Sequence, residues 1–483
     1  MNNHHRISKR KRQAILFFTY GFMTLAVLSI SILCILLIMG FRFDITDRTI
    51  EQGGLLQFRS TPAGARVILN DRQLSAVTPT KRDVAVGNHS VTMQRQGYKS
   101  WSRDVTIKAG ELRWLNYARL IPEELVTRPV LELGEGLRDA KATPDRRYLA
   151  VIEAAAQPTV RIVDLSNDES LESRTISMTP ELLTVTEGQP SELSVVEWDF
   201  GSRFLLLVHR SGETTEYIRL DRTAADGALR NITKEFNLPF RDMHFSGTSG
   251  NVLYAVTNND LRRVDTSAGS VTQPLVAGVQ EYRLYRENDI AFVALRGDSK
   301  VAGVYLDDKE TIVRTEAADV ALSVDVSRYY SNYYLAVKTD DAVDIIKDPV
   351  EVRESATAPH ATIRRSSHVF AWLDFNSSGR FVISGDDTAY SVYDIETDEL
   401  HTVTQPLQRA HGSAPIWLDD YYLSAVRGDT ISLLDYDGKN VSDVTKIIPT
   451  LPVFLSPDGT FLYSFAANEA TRALQSTRLI LED

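Results

Sequence analysis

The side chains able to do chemistry are scattered along this chain, and their spacing argues against catalysis. Beyond the first hundred residues the histidines are His209, His244, His360, His368, His401 and His411. No two of them share metal-ligand spacing, so each reads as a satisfied or exposed ring. Gly247-Thr248-Ser249-Gly250 lacks the Gly-x-Ser-x-Gly spacing of a nucleophile elbow and suits a turn. The one cysteine, Cys34, lies in an apolar run, which leaves no thiol nucleophile elsewhere and no partner for an intramolecular disulfide. Asp435-Tyr436-Asp437-Gly438 and Asp386-Asp387 offer carboxylates, but a calcium loop needs roughly six to eight oxygens, often with a distal glutamate. Both read as turn aspartates. Glycosylation triplets at Asn88, Asn231, Asn376 and Asn440 carry little weight without a eukaryotic secretory route. The residues therefore predict no catalytic group, no metal and no cofactor. Two tyrosine clusters remain, Tyr329-Tyr330-Ser331-Asn332-Tyr333-Tyr334 and Asp419-Asp420-Tyr421-Tyr422. On strands alternate rings face opposite sides, so half of each cluster packs inward. Tyr330, Tyr334 and Tyr421 are the candidate contacts for a sugar or peptide.

The elements that position these residues begin with an uncharged run from Ala14 to Phe41. As a helix it would extend about 42 Å, enough for a hydrocarbon core of roughly 30 Å. The run exceeds the apolar core of a cleaved signal peptide and lacks a small-x-small exit, so an uncleaved signal anchor is expected. Arg6, Lys9, Arg10, Lys11 and Arg12 precede it without an acid, which places the tail (1–13) in the cytoplasm and everything after the span (14–41) outside the cytoplasmic membrane. Topology and anionic lipid account for these five charges without nucleic acid. The formal charge is −11, and setting the tail aside leaves about −16 on the rest, a poor balance for gripping polyanions. The length exceeds what one ordinary core supports, so at least two exterior domains are expected.

After a polar linker (42–54) the pattern turns to short strands. Leu55 to Arg59, Ala65 to Leu69, Val91 to Gln94 and Val105 to Ile107 are separated by turn signals at Pro62, Asn70-Asp71, Gly87-Asn88 and Ala109-Gly110. The region 55–121 thus reads as a small all-β sandwich. Ser60-Thr61-Pro62-Ala63-Gly64-Ala65, then Thr78-Pro79, Val86-Gly87-Asn88 and Gly97-Tyr98-Lys99-Ser100-Trp101 resemble a PEGA domain over about 65 residues. Asp71 and Ala76 depart from that pattern where glycines are common, and both changes fall in turns. Tyr98 and Trp101 offer area to close a small core, with binding by exposed rings as the alternative. The resemblance implies a non-catalytic spacer or envelope-binding unit.

From residue 128 onward one phrase recurs: a strand, a polar turn such as Ser456-Pro457-Asp458-Gly459, an apolar strand, and a strand ending in aspartate. Examples are Ala142 to Val151 with Val160 to Leu165, and Val196 to Val208 with Glu216 to Asp221. About eight copies recur at roughly 45 residues, the period of four-stranded blades. The pattern resembles TolB-like and WD-repeat-like β-propellers. Eight blades are expected over 128–483, with seven as the alternative count and a double sandwich as the rival fold. The orphan strand near Pro129 to Leu133 is expected to complete the last blade and close the ring.

The fold class is therefore all-β with one N-terminal transmembrane helix, a PEGA sandwich and a propeller. The expected role is an extracytoplasmic binding or scaffold protein of a bacterial cell envelope, its partner an envelope protein or cell-wall glycan. The alternative is a glycan lyase or hydrolase, which requires carboxylates converging at the channel mouth. An inward-signalling sensor would need more than a short cytoplasmic tail.

Overall fold

A 30-residue helix, Lys9–Ile38, starts the structure, a computed structural model that describes residues 9–38, 41–44, 49–154, 158–167, 170–350, 360–364, 370–386, 388–404, 417–467 and 471–482. Its segment Leu16–Ile35 has a mean hydropathy of 2.0 with no part buried, long and apolar enough to cross a membrane. The helix stops at Ile38, short of the Phe41 limit read from the sequence, and Arg6 lies outside the described residues. Lys9 to Arg12 occupy the first turn, which holds no acid. Positive charge there opposes the helix macrodipole, so helix stability does not explain these residues.

The expected linker is not wholly irregular, because Phe41–Asp44 pairs with Thr49–Gln52 in a two-stranded ribbon, Phe43 opposite Ile50. Phe41, Phe43 and Ile50 alternate with polar residues, a period-two signal embedded in an otherwise polar stretch. The chain then divides into two compact units, 1–124 and 125–483.

In the first unit a three-stranded sheet, with Gly54–Thr61 between Thr80–Val84 and Leu112–Arg119, accompanies a four-stranded one. The latter runs Arg72–Val77, Arg66–Leu69, Gly87–Gln94, Trp101–Ile107. The motif residues tie the two turns together. Thr78 Oγ1 accepts from the Ala65 N–H at 2.9 Å and lies 2.6 Å from Ser60 Oγ, while the Gly64 N–H donates to the Thr78 carbonyl at 2.8 Å. Asn70 and Asp71 both take left-handed backbone, φ 48° and 62°, so the turn that departs from the glycine pattern keeps its shape through residues that tolerate that region.

The second unit comprises eight sheets among the described residues. Blades 1 to 6 are four-stranded meanders over 137–177, 191–231, 241–271, 279–317, 323–364 and 372–403. Blade 7 has three strands over 422–446, and Trp417 bridges to Leu423. Blade 8 adds Thr127–Leu133 as an outer strand to Phe454–Leu455, Phe461–Ala467 and Arg472–Arg478, closing the ring by the expected route. The cores sit between blades. One cluster joins Ile152 and Ile162 of blade 1 to Leu205 and Ile218 of blade 2, and another joins Leu149 and Val163 to Tyr463 and Leu474 of blade 8. Each blade buries a face only against its neighbours, so the ring is the unit of stability.

The repeated phrase has a physical basis. In blades 1, 2 and 6 an arginine precedes the aromatic that begins the second strand, and it pairs with the aspartate ending the third. The contacts are Arg147–Asp164 at 3.5 Å, Arg203–Asp221 at 2.5 Å and Arg380–Asp394 at 2.6 Å. Each guanidinium also lies over its aromatic: Tyr148 at 5.1 Å, Phe204 at 4.7 Å, Phe381 at 4.9 Å. The aspartates in turn accept turn N–H groups, Asp164 from Ser166, Asp221 from Thr223 and Asp394 from Glu396. Asp386 does the same for Thr388 and Ala389, the turn role read from its sequence; Asp387 lies outside the described residues.

Candidate functional site

The turns between first and second strands share one face of the ring, and Tyr330 stands out on it. Tyr329 pairs with Asn332, leaving Tyr330-Ser331 as a two-residue hairpin loop. Such loops demand positive φ and favour asparagine or glycine, yet Tyr330 takes φ 52° and is 83% exposed. A bulky residue held left-handed costs roughly 1–2 kcal/mol, and this one gains little burial in return. Its ring tilts against Tyr329, centroids 4.5 Å apart.

Tyr329 connects this display to blade 6. Burial, its hydrogen bond with Tyr330 and the nearby Glu396 carboxylate push its phenol well above the ordinary value, against the opposing pull of Arg380. Arg380 pairs with Asp394 and with Glu396, and these acids hold its charge despite burial. It also lies 5.8 Å from the ring of Tyr421, which packs edge-on against Phe381 at 5.7 Å. The structure thus brings Tyr330 and Tyr421 to the turn face of blades 5 to 7, Tyr330 exposed and Tyr421 half-buried.

Three other candidates are corrected. Tyr334 is 4% exposed, in a core with Ile345 and Tyr393, because its strand packs against blade 6 on that side. Tyr98 and Trp101 are 4% and 1% exposed. Trp101 meets Tyr117 edge-on at 5.7 Å, and Arg103 covers both rings, so they close the small core. The exposed aromatics that sequence reading missed are Trp114, on an edge strand of the three-stranded sheet, and Phe200, in the turn of blade 2. Phe200 occupies the position after the turn aspartate Asp199, where other blades carry the smaller Pro144, Ser377 and Pro457; that contrast was available in the repeated sequence.

The innermost strands carry a second feature, a series of carboxylates facing the next blade. Asp139 accepts from the Val195 N–H at 2.8 Å, Glu197 from Phe245 at 2.5 Å and Asp325 from Phe375 at 2.7 Å; Glu281 accepts from the Ser323 hydroxyl at 2.8 Å. In blades 1, 2 and 4 a register shift falls immediately before the acid, and a bulge re-aims a side chain in this way. Burial and the Asp374 carboxylate push Asp325 up to about 7, partly offset by the N–H groups it accepts. His244 lies 2.9 Å from Glu197 and 3.5 Å from Asp242. Burial disfavours its charge, but these two acids prevail and raise it to about 10. His360 sits between the rings of Tyr334 and Tyr393 and His401 against Tyr436, while His368 and His411 lie outside the described residues. The inner carboxylates are engaged as latches between blades, and Tyr330 is the group presented to solvent.

Residues 54–120 match the PEGA domain family. No curated protein matches the chain. Among solved structures, the C-terminal WD40 domain of Sif2 is similar at 11% identity and a TM-score of 0.48, over 74% of this chain and 99% of that one. The β-propeller domain of Cps50 (Swd1) from Myceliophteria thermophila is similar at 12% identity and a TM-score of 0.40, over 74% and 100%. A chain of the mitotic checkpoint complex shows 14% identity and a TM-score of 0.34, over 75% and 92%.

Proposed function

We propose that this protein is a membrane-tethered interaction platform of a bacterial cell envelope. The helix anchors it once, with the N-terminus in the cytoplasm, and the PEGA domain and propeller lie outside. The turn face around Tyr330 takes an envelope protein or a cell-wall glycan. The observation that carries this reading is the exposed Tyr330 ring held in a left-handed conformation, because strain of that kind persists where a side chain has a task. The rival reading, a glycan lyase or hydrolase at the channel mouth, requires carboxylates free to move protons. Asp139, Glu197 and Asp325 instead accept backbone N–H groups of the following blade.

The test is crosslinking of the full chain in envelope membranes, comparing the parent with Tyr330→Ala and Tyr421→Ala. A specific protein or glycan adduct that both changes reduce at least tenfold, with melting unchanged, supports the platform. Adducts indifferent to both changes, or none at all, remove it. Orientation is tested separately. Changing Arg6, Lys9, Arg10, Lys11 and Arg12 to glutamine is expected to mix the topology of a C-terminal reporter, since helix stability gives those charges no other reason to be there. A reporter that stays uniformly outside would show that the tail does not orient the chain.

A further inference from the structure

Blade 2 holds a linear hydrogen-bonded array that the platform does not use. Ser191 begins the inner strand Ser191–Trp198, His209 lies on Phe204–Ser211 and Glu216 on Thr214–Asp221. His209 is directly opposite Glu216 in the register, and Leu193, two residues beyond Ser191, is opposite His209 on the other side. All three polar side chains therefore share one face of the blade. Ser191 Oγ is 2.8 Å from His209 Nε2, and His209 Nδ1 is 3.2 Å from Glu216 Oε2. The histidine and glutamate are 0% and 2% exposed, whereas the serine is open to solvent.

The surroundings determine which atom carries the proton. Glu216 accepts from the Thr184 N–H and hydroxyl, each at 2.8 Å, and Lys234 Nζ approaches to 3.8 Å. Burial works against its charge, but these contacts and a bond from Asn231 hold its carboxyl below the usual value. An ionised carboxylate only accepts, so the proton on a neutral His209 ring sits on Nδ1. Nε2 is then a bare lone pair aimed at the Ser191 hydroxyl, which must donate. Nucleophile, base and orienting acid are thus within reach in the order that acyl transfer requires, and such a constellation is recognised by geometry, not by chain order.

We propose that Ser191 is an acylatable nucleophile with His209 as its general base and Glu216 as the positioning residue, acting on carboxylic esters. In this step the Ser191 Oγ–H proton passes to His209 Nε2 as Oγ bonds to the acyl carbon. The acyl carbon–oxygen bond then breaks, and the departing alcohol takes the proton from Nε2. Water repeats the sequence in reverse roles, releasing the carboxylic acid and restoring the serine.

The experiment treats the full chain, in detergent micelles, with a fluorophosphonate probe, in which serine displaces fluoride, and maps the adduct by peptide mass. Labelling is expected at Ser191 above every other serine. It is expected to vanish in Ser191→Ala, compared at equal folded fraction because the buried His209 Nε2 loses its hydroxyl partner there, and to fall about tenfold or more in His209→Gln. Hydrolysis of p-nitrophenyl acetate should follow the same order. Absence of the Ser191 adduct in folded protein overturns the proposal, as does a labelling rate indifferent to His209→Gln. If His209→Gln does not fold, the Ser191 adduct of the parent and its loss in Ser191→Ala decide the matter alone.

Discussion

Tyr330 and Asp325 each hold an unfavourable state, and each yields a prediction with a definite sign. Asparagine tolerates the left-handed region that Tyr330 occupies, so Tyr330→Asn should stabilise the propeller by about 1 kcal/mol or less while weakening partner capture. Chemical denaturation set beside crosslinking measures both; a destabilised variant would mean that the ring supports the fold. For Asp325, the folded ring retains the proton up to about 7, whereas the unfolded chain releases it near 4. Between those values the folded state binds more protons, so this group's contribution falls as pH rises. Asp325→Asn removes that titration. Its melting temperature relative to the parent should climb between about pH 4 and 7 and level off above. A difference that stays flat across the same window would show that this acid is already ionised there in the folded protein.

At the scale of strands and turns, the arginine-aromatic-aspartate unit holds the second and third strands of a blade together. Arg380 is the strictest case: its side chain is 13% exposed and its partner Asp394 only 1%. Arg380→Ala would leave a buried carboxylate without its cation and should cost about 3–5 kcal/mol, read as a lower denaturation midpoint. Arg147→Ala, at an arginine 53% exposed, should cost under about 1 kcal/mol. The turn and closing aspartate of this unit were legible in the sequence because they recur at one offset, and the same recurrence supplied the blade period; the arginine's pairing with that aspartate was not, because it joins two strands. The inner latches were not. Asp139, Glu197, Glu281 and Asp325 become a series only when adjacent blades are placed side by side, and in three blades a bulge decides where the acid points. Nor does the sequence separate Tyr330 from Tyr334. Both fit a strand, and only the two-residue loop between Tyr329 and Asn332 lifts the first into solvent while the second enters the core. The Ser191 array escaped notice for a related reason, since its members lie on three strands and share no local motif.

For the molecule as a whole, closure depends on strands from opposite ends of the second unit. Thr127–Leu133 pairs with Arg472–Arg478 along its length, and the Thr127 and Thr477 hydroxyls meet at 2.8 Å. Deleting residues 127–133 should expose that edge and lower the melting of every blade together, because the core between blades 8 and 1 loses Leu133 and one side of its wall. Melting followed at several blades would reveal it; loss confined to blade 8 would show that the ring stays cooperative without its clasp.

The clasp also sets an order of events during biogenesis. Its strand leaves the ribosome some 340 residues before its partner, a delay on the order of 20 to 70 s at ordinary rates of synthesis. For that interval a pairing edge waits beside nascent blades and neighbouring chains, an invitation to the wrong strand. Pro129, where the pairing register shifts, together with Arg128 and Glu132, makes the edge a poor template for any strand except the late one. A chain cut short anywhere upstream of Arg472 would keep this edge unpaired, which gives cellular quality control a single mark by which to distinguish finished molecules from unfinished ones.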